Sequence, residues 1–103
     1  MTDSLTDKVA IVTGSGGGIG RGVAMLMAAE GAKVVVNDLG TAVDGEGNSS
    51  SPADGVVAEI KAAGGEAVAN YDSVATMEGG ENIVKSALDN FGKLDIVVTV
   101  AGI

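Results

Sequence analysis

Apolar residues fall along this chain in short blocks that alternate between two periodicities. The run Lys8-Val9-Ala10-Ile11-Val12-Thr13 is nearly continuous in apolar, β-branched residues, the mark of a strand buried on both faces. From Ile19 to Glu30 the apolar positions 19, 23, 26 and 27 follow a helical period, and Gly31 stands where such a helix ends. Lys33-Val34-Val35-Val36-Asn37 repeats the buried-strand pattern and runs into Asp38. Residues 40–51 turn to Gly, Ser, Asn, Asp and Glu and predict a flexible surface loop, long for a compact domain. Ser51 as N-cap, Pro52 in the first turn and Asp54 three residues past the cap then open a helix. It should run to about Ala63, bury Val56, Val57 and Ile60, and stop at Gly64-Gly65. Glu66 to Asn70 reads as a third, shorter strand. After Tyr71-Asp72-Ser73 a weak helical start is interrupted by Gly79-Gly80. A firmer helix follows, using Ile83, Val84, Ala87, Leu88 and Phe91, with Gly92 closing it. Leu94 to Val100 is a fourth strand, almost wholly apolar.

The resulting order, β-α-β-α-β-α-β without internal repeat, predicts an α/β fold: a parallel sheet, helices on both faces and right-handed crossovers. With 103 residues the whole chain, 1–103, forms one domain. The expected architecture is half of a Rossmann-like, doubly wound nucleotide-binding fold plus one strand. It comprises about four strands in the order 3-2-1-4 with three to four helices.

Composition narrows the chemistry. Aromatic residues are 2% of the chain, Tyr71 and Phe91, so the core must come from Val, Ile, Leu, Ala and Met. The 17 glycines follow no Gly-X-Y period and cluster instead at predicted loops. A net charge of −8 with no Lys/Arg cluster argues against nucleic-acid binding. Cysteine and histidine are both absent, which removes disulfides, a thiolate nucleophile and the commonest general base and metal ligand. Asp44, Glu46 and Asp54 lack regular ligand spacing and read as solvated loop residues, so no metal is expected. Met1 to Asp7 does not resemble a signal peptide, and no apolar run reaches membrane-spanning length. The expectation is a cytoplasmic protein without membrane contact.

In so glycine-rich a chain a glycine motif alone is weak evidence; its context here is what matters. Gly14-Ser15-Gly16-Gly17-Gly18-Ile19-Gly20 joins the first predicted strand directly to the first predicted helix. Gly14 allows the turn out of the strand, Gly18 lets backbone approach a pyrophosphate, and Gly20 permits close helix packing. The helix N-terminus offers free N–H groups and the positive end of its dipole to the anion. A loop that needs only tight turns is the competing explanation. Asp38, 18 residues after Gly20, ends the second strand. Its carboxylate can accept from both ribose hydroxyls and would repel a 2′-phosphate, which favours NAD over NADP. It can also be an ordinary turn residue or helix cap. Asp72 follows the third strand, within reach of the adenine amino group and with Ser73 beside it; equally, the pair fits a cap for the next helix.

Together these residues resemble the short-chain dehydrogenase/reductase family. Thr13-Gly14-Ser15-Gly16-Gly17-Gly18-Ile19-Gly20 matches that family's Thr-Gly-x-x-x-Gly-Ile-Gly signature. Leu94-Asp95-Ile96-Val97-Val98-Thr99-Val100-Ala101-Gly102-Ile103 is similar to its fourth strand, which ends in Asn-Asn-Ala-Gly. Val36-Asn37-Asp38-Leu39-Gly40 and Val68-Ala69-Asn70-Tyr71-Asp72-Ser73-Val74 resemble the branch with the 3-hydroxyacyl-CoA dehydrogenase domains of multifunctional β-oxidation enzymes. The resemblance implies an NAD site formed by Gly14, Ser15, Gly17, Gly18, Ile19, Gly20, Asp38, Leu39, Asp72, Ser73, Ala101 and Gly102. It also implies an oxidoreductase acting on hydroxy or keto substrates. Thr99 and Val100 replace the two asparagines of Asn-Asn-Ala-Gly. The resemblance places the family's catalytic Ser, Tyr-x-x-x-Lys pair and further Asn downstream of these residues, and Tyr71, followed four residues later by Ala75 rather than Lys, does not match the pair. No catalytic residue is assigned, and no turnover by the chain alone is expected. A second reading is a non-enzymatic, self-associating module, in which Ile96, Val97, Val98 and Val100 form an open apolar edge and give a homo-oligomer.

Overall fold

The computed structural model describes residues 5–14, 18–38, 52–72 and 76–100. Four strands form one parallel sheet: β1 (Val9–Thr13), β2 (Lys33–Asn37), β3 (Glu66–Asn70) and β4 (Ile96–Thr99). They are ordered β3-β2-β1-β4, as the alternation predicts. Three helices connect them: α1 (Gly18–Ala29), α2 (Pro52–Ala62) and α3 (Met77–Phe91). The predicted loop 40–51 and the Ser51 cap lie outside the described residues.

Two cores sandwich the sheet. Val12, Val34, Val36 and Ala67 face α1 and α2, where they meet Ala24, Ala53, Val56 and Ile60. Val9, Ile11 and Val35 face α3 and meet Ile83 and Ala87. Strand periodicity accounts for this division, because alternate residues of β1 and β2 point to opposite layers. Covering both layers makes Val34, Val35 and Val36 fully buried. Burial of a valine side chain contributes roughly 1.5–3 kcal/mol.

Four local expectations need correction. The buried stripe of α1 is Gly20 and Ala24, whereas Ile19 and Leu26 are 78% and 58% exposed. Small residues let this helix lie close to the sheet, so the larger apolar side chains stand at its flanks. The third helix runs unbroken through Gly79-Gly80. Thr76 caps it by accepting from the Gly79 N–H at 2.9 Å, and buried Gly79 belongs to its packed face. Cap and packing outweigh the weak propensity of two glycines, roughly 1 kcal/mol each. In the same helix Val84 and Leu88 are exposed, while Ile83 and Ala87 are buried. Gly92 closes the helix as expected, at φ 83° with its N–H on the Leu88 carbonyl. The fourth strand is shorter than the apolar run, because residues 93–95 approach the sheet outside the ladder. There the Asp95 carboxylate accepts from the Val9 N–H at 2.9 Å, and the Lys93 ammonium lies 3.2 Å from it.

Candidate functional site

Register decides which residues meet. Thr13 of β1 pairs with Asn37 of β2 and with Thr99 of β4, and Asn37 pairs with Asn70 of β3. The four strands therefore end level, and the segments after them leave from one edge. That edge carries Gly14, Asp38, Asp72 and Val100, and α1 begins beside it. Strand alternation also puts Thr13, Asn37, Asn70 and Thr99 on the α3 face, as one polar row closing an otherwise apolar layer.

Gly14 and Gly18 hold φ of 65° and 59°, left-handed values that a side chain strongly disfavours. They turn the chain out of β1 and set the first residue of α1. A Cβ built on Gly18 meets nothing within 4 Å, so open space lies against this backbone at the helix N-terminus. The first N–H groups of a helix lack intrahelical acceptors and face the positive end of the dipole. Ile19 projects beside them, largely exposed, and Gly20 is buried. This arrangement suits an anion approaching along the helix axis.

The ends of β2 and β3 are joined by side-chain amides. Asn37 Nδ2 donates to Asn70 Oδ1 at 2.8 Å and to the Asp72 carbonyl at 3.0 Å. Asn70 Oδ1 also accepts from the Asp72 N–H at 2.9 Å, and Asn70 Nδ2 donates to Asp72 Oδ2 at 3.0 Å. Asn82 of α3 donates to the other carboxylate oxygen, Oδ1, at 3.3 Å. The Asp38 N–H donates to the Asn70 carbonyl at 3.0 Å. Asn37 and Asn70 are buried, and no described buried side-chain nitrogen or oxygen lacks a partner. Across the sheet, buried Thr13 Oγ1 accepts from the Val100 N–H at 3.3 Å and makes a long 3.5 Å contact with the Val98 carbonyl. Thr13 thus ties the end of β4 to β1.

The structure brings Gly14, Gly18, Ile19, Gly20, Asp38 and Asp72 of the expected set to this edge. Ser15, Gly17, Leu39, Ser73, Ala101 and Gly102 lie outside the described residues. The capping role left open for Asp72-Ser73 belongs to Thr76. Tyr71 is exposed, and its hydroxyl donates to the Asp54 carboxylate of α2. Sequence reasoning passed over Thr13, Asn37, Asn70 and Asn82. The available signal was a polar residue at the end of each of three buried strands, which becomes informative once parallel register aligns them. Among the described residues no group of three acidic, His or Cys side chains could hold a metal. No described helix is long and apolar enough to cross a membrane.

Comparison with known proteins agrees with this geometry. A family model described as short chain dehydrogenase matches residues 8–103. Peroxisomal multifunctional enzyme A of Dictyostelium discoideum is 60% identical over 103 residues, which are 100% of this chain and 23% of that protein. Peroxisomal multifunctional enzyme type 2 of Mus musculus is 58% identical over 96 residues, 93% of this chain and 13% of that protein. The crystal structure of a short chain dehydrogenase from Mycobacterium avium superposes with a TM-score of 0.88 at 51% identity, covering 96% of this chain and 36% of that one. The chain thus spans about a third or less of the length of these relatives. It belongs to the short chain dehydrogenase family.

Proposed function

We propose that this chain binds NAD along the edge formed by β1, β2 and β3, as the cofactor-binding part of an oxidoreductase for hydroxy or keto substrates. The observation that carries the reading is the level ending of these strands. It sets the α1 N-terminus, Asp38 and Asp72 side by side. The first N–H groups of α1 take the pyrophosphate, and Gly18 leaves the backbone bare where the phosphate approaches. Asp38 accepts from the adenosine ribose hydroxyls and repels a 2′-phosphate, so NAD is preferred to NADP. Asp72 faces the adenine. The bound nicotinamide supplies hydride transfer, and this chain's residues bind and orient it. Tyr71 hydrogen-bonds the Asp54 carboxylate and has Ala75, not Lys, four residues after it, so it is not assigned as the proton donor for turnover. The names of the multifunctional relatives and the branch-like motifs support a 3-hydroxyacyl thioester as the substrate class of the whole enzyme.

Calorimetric titration of the purified chain with NAD tests the reading. Binding that Asp38→Ala weakens at least about tenfold supports it, since a charge-assisted hydrogen bond contributes roughly 1.5–3 kcal/mol. Absence of binding at millimolar NAD overturns it.

A second reading concerns assembly. Val97 of β4 is 56% exposed, and a shallow apolar groove runs past it between Ile11, Ile83 and Val84. β4 is also the outer strand of the described sheet, a position from which a strand can template pairing with another chain. We infer self-association through β4, in a protein that works in the cytoplasm without membrane or nucleic-acid partners. Sedimentation at tens of micromolar checks it, and a strictly monomeric profile contradicts it.

A further inference from the structure

We propose that Asn70, backed by Asn37 and Asn82, is a positioning residue that aims the Asp72 carboxylate at the adenine amino group and so makes the site selective for the base. The proposal rests on the cofactor reading above and extends it to residues that no motif assigns. Among the described residues, Asn70 is bonded to both acidic residues of the site. Its main-chain carbonyl holds the Asp38 N–H at 3.0 Å. Its side chain holds Asp72 twice, through the N–H at 2.9 Å and carboxylate Oδ2 at 3.0 Å. Asn37, buried behind it, orients the Asn70 amide at 2.8 Å and takes the Asp72 carbonyl at 3.0 Å. Asn82 restrains the second carboxylate oxygen from the helix side at 3.3 Å.

Only an amide fits at position 70. Its oxygen accepts from two donors while its nitrogen donates to an anion. Aspartate there would set two carboxylates about 3 Å apart, and leucine would strip partners from the buried Asn37 amide and the Asp72 N–H. Among the described residues, Asn70 donates to one Asp72 oxygen and Asn82 to the other. A carboxylate oxygen has capacity for two, so the anion is oriented and still able to accept from a base. A carboxylate fixed in this way accepts from the 6-amino group of adenine and repels the 6-oxo group of hypoxanthine.

The test is the ratio of dissociation constants for nicotinamide hypoxanthine dinucleotide and NAD, measured on the intact chain and on Asn70→Leu. The parent chain is expected to prefer NAD about tenfold or more, and in Asn70→Leu the ratio should collapse towards one. Equal weakening of both ligands with the ratio unchanged would show Asn70 to be a structural brace only, and overturns the proposal. A parent ratio near one also overturns it, while leaving NAD binding itself intact. Failure of the parent chain to bind either dinucleotide overturns the cofactor reading and this proposal together. Should Asn70→Leu not fold, Asn82→Ala decides, since Asn82 is exposed on α3. A fall in the ratio of about threefold supports the proposal, and an unchanged ratio overturns it.

Discussion

The two sides of the sheet are finished differently. Towards β2 and β3, both faces are covered, Val34 to Val36 are buried without exception, and the strand ends are bound together by amides. Towards β4, burial alternates between partial and slight, Val97 is more than half exposed, and one threonine hydroxyl makes the tie at the strand end. The same apolar, β-branched composition therefore does different work in the two places. In β2 it fills a core, and in β4 it leaves Val97 more than half exposed. Asp38 and Asp72, the residues proposed to hold the adenosine moiety, both stand on the finished side, where amides from Asn70 and Asn82 hold the Asp72 carboxylate.

The largest expected contrast is in stability. Val35→Ala, in the middle of the sheet, should cost about 2–3 kcal/mol through lost burial and an unfilled cavity. Val97→Ala should cost less than about 1 kcal/mol, because its side chain is largely in water. Paired urea melts measure both, and equal losses would mean that the β4 side is as closely packed as β2. Next in size is Gly18→Ala. A left-handed φ of 59° is expected to cost an alanine about 1–2 kcal/mol. The new methyl would also enter the open space where phosphate approaches, and NAD affinity should fall at least about tenfold by calorimetry.

Val97→Lys addresses the open edge alone. A charge on β4 should reduce self-association in sedimentation while leaving NAD affinity within about twofold. Loss of both together would mean that the edge and the cofactor site are one surface.

The smallest effect concerns Asp95, where the β4 segment first meets β1. The Val9 N–H, with help from Lys93, holds its carboxyl below the usual carboxylate range. A folded-state pKa below the unfolded one means that the ionised group stabilises the fold. That contribution is complete above the ordinary aspartate value and is lost as pH falls through the lowered one. Melting temperatures of the parent and Asp95→Asn should differ slightly at neutral pH and converge below about pH 4. A gap that widens in acid would contradict the assignment.

Topology was legible in the sequence because it rests on features that are local in the chain: valine runs, glycine stops and the order in which they come. The approximate limits of β1, β2, β3 and α2 follow from them. The α3 start was misjudged because glycine propensity is also local, whereas Thr76 capping and the packing of Gly79 are set by the folded surroundings. Ile19 and Leu26 misled for the same reason, since the helical period cannot say that Gly20 and Ala24 make the closest face. At the site, Gly18 and Asp38 were named as candidates from spacing and Asp72 from its place after the third strand. Asn37 and Asn70 were not, because their partnership spans 33 positions and exists only in the parallel register. In isolation each reads as the polar residue that ends a strand.

If Asp38 governs a dinucleotide site on the finished edge of the sheet, the choice between NAD and NADP must depend on it. The most direct measurement is a calorimetric comparison of NAD and NADP on the purified chain. NAD is expected to bind about tenfold or more tightly than NADP, with the preference lost in Asp38→Ala. Equal or tighter binding of NADP, or a preference that survives removal of Asp38, would contradict the account.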